Sequence, residues 1–197
     1  MAERVRVISA AQIPNIITSL RIVAVPVLCY LAWTGERQEF AWLLTAALIS
    51  DIVDGFIARR FGLVSELGSF LDSLADLLTF LTAGYGFWRF FPEVIADQRP
   101  VIVLVLALWI GASVLGVLRY GRLASFHTLL TRVCAYALGF FLVILFLHGF
   151  VPWLFWTAAA LVVVSQAEEL ALLLLLPKWT PNVRGLYWRL KHGERAG

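Results

Sequence analysis

Four aspartates between positions 51 and 76 carry the chemistry open to this chain. They occur as Asp51-Ile52-Val53-Asp54-Gly55-Phe56-Ile57-Ala58-Arg59, then eight residues, then Gly68-Ser69-Phe70-Leu71-Asp72-Ser73-Leu74-Ala75-Asp76. Phe61-Gly62 reads as a helix break. On that reading Asp51 and Asp54 stand at i,i+3 on one helix, and Asp72 and Asp76 at i,i+4 on the next. Each pair then projects from a single helical face. Gly55 lies one turn after Asp51, Ala58 one turn after Asp54, and Gly68 one turn before Asp72, so small residues line the acidic face. Four oxygen donors beside so little side-chain bulk suit divalent cations and a phosphate-bearing ligand lying close to the backbone.

Packed together without a cation, four carboxylates repel one another. Mg2+ or Mn2+ removes that repulsion, because hard cations take oxygen ligands. Two divalent cations about 4 Å apart can clamp a phosphoryl group and activate an attacking oxygen. Arg59, one residue beyond Ala58, can supply charge-assisted hydrogen bonds to phosphate oxygens. The residues alone thus point to metal-assisted phosphoryl transfer.

The elements that position these residues are apolar helices. Of 197 residues 61% are hydrophobic and 15% charged, which excludes an ordinary soluble domain. The expected fold is all-α: one polytopic membrane domain over residues 1–197, with six transmembrane helices and a short N-terminal interfacial helix. The spans fall at about 16–33, 40–57, 66–88, 100–118, 131–149 and 153–176, each near the roughly 20 residues a bilayer crossing needs. The first twelve residues are mixed and polar, unlike a cleavable signal peptide. Cys29 and Cys134 both fall within expected helices, so no disulfide framework is implied.

Charge placement orients the bundle. Thirteen of the sixteen Lys and Arg residues fall in the N-terminal segment, the 2–3 and 4–5 connections and the C-terminal tail, against Arg37, Arg89 and Arg99 on the other side. The positive-inside rule then makes both termini cytoplasmic and places the aspartates toward the cytoplasm. The net charge of +3 marks topology rather than a nucleic-acid partner. Most of the eight tryptophans lie near span ends, as an aromatic belt does. Ahead of the first span, Pro14-Asn15 can start a helix with Thr18 and Arg21 on the Asn15 side. That stretch reads equally as a headgroup anchor, with Arg4 and Arg6, or as a substrate contact.

A solvated loop of incidental acids is a poor alternative for the four aspartates. Leu71, Leu74, Leu77, Leu78 and Phe80 interleave with Asp72 and Asp76 at helical spacing. One Asp at the centre of a membrane helix costs about 2.5–3.5 kcal/mol, so four within 26 residues signal function.

Asp-x2-Asp-Gly-x2-Ala-Arg-x8-Gly-x3-Asp-x3-Asp resembles the signature of the CDP-alcohol phosphatidyltransferase family, with every fixed position present from Asp51 to Asp76. The resemblance implies transfer of a phosphatidyl group from a CDP-alcohol, usually CDP-diacylglycerol, to a hydroxyl acceptor, with release of CMP. It implies two divalent cations held by Asp51, Asp54, Asp72 and Asp76, with Asp76 as the base that deprotonates the acceptor. It further implies that Gly55, Ala58, Arg59 and Gly68 bind the CDP moiety, and that the protein is a homodimer in a bacterial-type inner membrane. Glycerophosphate-using members resemble Leu-Asp-Pro-x-Ala-Asp-Lys in the second half. Here the chain reads Leu71-Asp72-Ser73-Leu74-Ala75-Asp76-Leu77, which looks more like phosphatidylserine synthases.

Basic residues of the 4–5 connection, Arg119 and Arg122 above all, are candidates for reading an anionic acceptor; positive-inside topology alone also accounts for them. Arg132 is balanced between the two readings, and His127 reads as an interfacial polar residue. Glu168 and Glu169 lie inside the sixth span and could pair with a loop arginine, face a dimer partner or line the acceptor pocket. Two other functions compete with phosphatidyl transfer. An intramembrane prenyltransferase also uses Asp-x2-Asp with Mg2+, but resembles a longer bundle with two separated acidic motifs. A carboxylate-based ion transporter often shows internal repeats, and none is evident here.

Overall fold

The computed structural model describes residues 2–61, 66–120 and 128–175; the side chains of 2–16, 57–59, 66, 67 and 69 lie outside that description. Every element among the described residues is an α-helix: α1 Ala2–Thr34, α2 Arg37–Phe61, α3 Glu66–Phe90, α4 Pro92–Asp97, α5 Arg99–Tyr120, α6 Leu129–His148 and α7 Pro152–Leu175. Four are long and apolar enough to cross a membrane, over Ile17–Thr34, Arg99–Tyr120, Leu129–His148 and Pro152–Leu175. Large apolar side chains face outward along them, Leu118 78% and Trp33 77% exposed. Such surfaces belong in lipid rather than water. The chain is an integral membrane protein.

Two details depart from the sequence expectation. The short N-terminal helix is not a separate element, because α1 continues through Pro14 and Pro26 as one helix of 33 residues. Each proline removes one backbone donor, and the helix continues past both. Its length of about 50 Å at 1.5 Å per residue exceeds a hydrocarbon core of about 30 Å. Secondly, α2 and α3 are 25-residue helices that do not share the unbroken apolar character of the other four. The aspartates they carry, with Arg37, Glu39, Arg60 and Arg89, are the reason.

The helix ends follow local rules. Gly35 adopts φ +86° and closes α1, with its own N–H and that of Glu36 both donating to the Leu31 carbonyl. That left-handed cap favours glycine. Gly149 (φ +99°) closes α6 in the same conformation, and Pro152 opens α7, matching the preference for proline at the first helical position.

The chain divides into two compact units, residues 1–95 with 146–149, and residues 96–145 with 150–197. In the first, α1 packs on α2 and α3 around Leu28, Ala32, Phe40, Leu44, Ala75 and Ala83, all buried. Phe40 meets Phe90 and Phe146 edge to face, with centroids 5.4 and 4.8 Å away. Cys29 and Cys134 are both free thiols.

In the second unit α5 packs on α7 through Ala112, Leu172 and Leu173. Thr128 caps α6: its hydroxyl accepts from the Thr131 N–H at 3.1 Å and lies 2.9 Å from Glu168 Oε2, to which it donates. Thr128→Val therefore removes a helix cap and a partly buried hydrogen bond together. The expected loss is about 1–2 kcal/mol, read as a lower unfolding temperature in detergent. Thr128→Ser should retain most of the stability, and equal losses in both variants would show that the hydroxyl is not what matters.

Candidate active site

The sequence places the four aspartates on two helices, and the first unit brings those helices to a common point beside α1. Phe61 ends α2, so Asp51 and Asp54 lie in its last turns and Asp72 and Asp76 in the first turns of α3. Between them stands Arg21, from the face of α1 that also carries Thr18. Its Nη1 donates to Asp51 and, at 2.8 Å, to Asp76. Its Nη2 donates to Asp72 at 2.8 Å and to Asp54 at 3.3 Å. One guanidinium thus touches all four carboxylates. Thr18 adds a hydrogen bond to Asp54 at 3.2 Å.

Burial differs sharply among the acids. The Asp54 side chain is 3% exposed, whereas Asp51, Asp72 and Asp76 are 38, 47 and 55% exposed. Asp54 is therefore held in the packing of α1 against α2, while the other three open outward. Asp51, Asp72 and Asp76 each offer a carboxylate oxygen within 4.8 Å of the other two. Oxygens that surround a hard cation at about 2.0–2.4 Å lie at most about 4–4.8 Å apart. The donor set is all oxygen, as Mg2+ and Mn2+ prefer. Both tests favour a divalent cation. Among the described residues the cluster sets one guanidinium against four carboxyl groups.

The remaining expected residues distribute as follows. Gly55 follows Asp54 on α2 and is half-buried; Gly68 is half-buried one turn before Asp72 on α3. Ala58 and Arg59 belong to α2, with side chains outside the described residues. Arg119 lies in the last turn of α5, exposed, its guanidinium 5.9 Å from the Tyr120 ring centroid. Arg122 and His127 lie outside the described residues, as does the side chain of Asn15. Thr18 and Arg21 are the residues whose partners the sequence did not reveal. The available signal was a charged residue inside an apolar stretch, on the same helical side as a threonine one turn away.

Residues 11–165 match the CDP-alcohol phosphatidyltransferase family. The chain belongs to that family. The matched region contains Thr18, Arg21 and all four aspartates. Among similar proteins is the Pseudomonas fluorescens CDP-diacylglycerol–glycerol-3-phosphate 3-phosphatidyltransferase, 31% identical over 50% of this chain and 56% of the relative. A probable phosphatidylglycerophosphate synthase of Mycobacterium tuberculosis is 35% identical over 66% of each chain. A Salmonella choleraesuis protein named like the Pseudomonas one is 30% identical over 50% of this chain and 60% of its own length. The chain thus spans between about half and two thirds of the length of the curated relatives it matches. No solved structure matches it significantly.

Proposed function

We propose that this protein is a metal-dependent phosphatidyltransferase that moves the phosphatidyl group of CDP-diacylglycerol to a small polar alcohol and releases CMP. The observation that carries the proposal is the convergence of Asp51, Asp54, Asp72 and Asp76 on one buried cation, Arg21, within a family named for this reaction. Family membership favours this reading over a prenyltransferase or an ion transporter.

Asp51, Asp54, Asp72 and Asp76 would hold two divalent cations, Mg2+ or Mn2+. Such ions neutralise phosphate charge and stabilise the attacking and leaving oxygens of a displacement. Asp76, the most open of the four, takes the proton of the acceptor hydroxyl. The acceptor oxygen forms a bond to the phosphatidyl phosphorus, the bond from that phosphorus to the CMP oxygen breaks, and CMP leaves with the bonding pair. Gly55 and Gly68 let the CDP moiety approach the backbone, with Ala58 and Arg59 completing its site. Arg119 and Arg122 are assigned to the acceptor.

Glycerol 3-phosphate is the acceptor we favour, because the relatives from Pseudomonas and Salmonella are named for it and arginines suit a phosphate. We further place α2 and α3 across the membrane, which makes six spans in one domain over residues 1–197. Both termini and the acidic site then face the cytoplasm of an inner membrane, and the protein is a homodimer.

The deciding experiment is CMP release by the purified protein with CDP-diacylglycerol, Mn2+ or Mg2+, and serine, inositol or glycerol 3-phosphate in turn. Release that depends on glycerol 3-phosphate supports both the reaction and the acceptor. Release with another alcohol keeps the reaction and replaces the acceptor, and no release with any of them counts against the reaction itself.

Gly55→Leu tests the close-approach element. The added side chain should weaken CDP binding by about tenfold or more, the equivalent of an overpacking cost of about 1–3 kcal/mol. Unchanged CDP affinity in a titration would remove Gly55 from the nucleotide site.

A further inference from the structure

The Arg21 side chain is 2% exposed and has been brought to the one place where four carboxylates meet. A guanidinium carries five N–H donors in a rigid fork. Four of Arg21's point one to each aspartate, while Nε is buried with no hydrogen-bond partner among the described residues. An arginine paired with a single carboxylate frequently grips it with two parallel bonds. Arg21 instead spreads its charge over all four acids and leaves a donor orphaned, an arrangement that carries a free-energy penalty. It behaves as a cation among anions rather than as half of a pair.

The space it uses is the space a metal needs. Nη1 engages Asp51 and Asp76 and Nη2 engages Asp72, the same three residues whose oxygens lie within 4.8 Å of one another. A guanidinium nitrogen and a metal ion cannot share one position among these oxygens, because they would overlap and repel.

We propose that Arg21 is an internal counter-cation that exchanges with divalent metal, so that the guanidinium and the metal hold the same carboxylates in turn. This rests on the metal-dependent reading above. Arg21 keeps the four acids gathered when it is in place, and its withdrawal is part of metal binding. It is a positioning residue that sets metal affinity by competition.

Competition and scaffolding predict opposite signs. If Arg21 must leave before metal enters, its removal frees the carboxylates, and apparent affinity rises by the inverse of the fraction already free. For a site with Arg21 withdrawn in about one molecule in ten, Arg21→Ala should bind Mn2+ about tenfold more tightly. If Arg21 were a scaffold that stays in place with the metal, the same variant would bind Mn2+ more weakly. The measurement is Mn2+ binding to the full chain in detergent, followed by the electron paramagnetic resonance of free Mn2+. Arg21→Ala is purified with Mn2+ and then stripped, since four unpaired acids lower its stability. Its unfolding temperature should lie below that of the wild type without Mn2+ and rise by more than the wild type's when Mn2+ is added.

Arg21→Lys is the second variant. A single ammonium cannot reach all four acids, so Mn2+ affinity should rise in the same direction by a smaller factor. Unchanged or weaker Mn2+ binding in Arg21→Lys, or in Arg21→Ala, overturns the exchange. Wild-type protein that binds no Mn2+, behaving like Asp51→Asn, overturns the metal reading as well as the exchange. Wild-type binding that is indifferent to Arg21 overturns the exchange alone.

Discussion

Asp76→Asn is expected to lower CMP release by about 10²–10⁴-fold, the range for loss of a general base, while CDP-lipid binding in the presence of metal largely survives. The substitution preserves shape and leaves an amide oxygen where a carboxylate oxygen accepted from Arg21 at 2.8 Å. What it removes is the proton acceptor. Exposure singles out this residue among the four: at 55% Asp76 is the one an incoming hydroxyl reaches most readily, whereas Asp54 at 3% is closed off by Thr18 and Arg21. Turnover and metal-dependent CDP-lipid binding should be measured on the same preparation. Near-normal turnover in the variant would transfer the base to another residue. Loss of turnover and binding together would make Asp76 chiefly a metal ligand.

The largest expected effect away from the site is at Gly86 on α3. A Cβ there would lie 2.5 Å from Phe40 Cζ and 2.8 Å from Cε1. Phe40 cannot readily give way, because its ring is fully buried and held edge to face by Phe90 and Phe146. Overpacking of this kind costs about 1–3 kcal/mol, while replacing a helical glycine by alanine returns up to about 1 kcal/mol. The clash wins. Gly86→Ala should lower the unfolding temperature in detergent, and adding Phe40→Leu to it should restore part of the loss by removing the ring atoms in the way. A Gly86→Ala protein as stable as the wild type would mean that Phe40 has room to move.

How much of this was readable in the sequence depends on the range of the interaction. The two aspartate pairs, their separate helices and the end of α2 at Phe61 follow from spacing of three or four residues and from one break, all of it local. Four of the six expected spans coincide with long apolar helices for the same reason. The continuation of α1 through Pro14 was not legible: local rules read Pro14-Asn15 as a start, whereas α1 begins at Ala2. Arg21's role was hidden more deeply. Its partners lie 30 to 55 residues away, and no periodicity encodes which of several basic residues will meet a given acid. The packing of α1 between α2 and α3 decides that. The reduced apolar character of α2 and α3 comes from the same acids that mark the site, so the signal for function weakened the signal for membrane crossing.

The position of Arg21 also constrains how the protein can be made. It leaves the ribosome thirty residues ahead of Asp51, the nearest of its partners in the chain, and fifty-five ahead of Asp76. During that interval the first apolar helix carries an arginine with none of these acids yet available, at a cost of about 2.5–3.5 kcal/mol if it sits at mid-membrane. The four aspartates can gather around Arg21 only once α2 and α3 have followed α1 out of the ribosome.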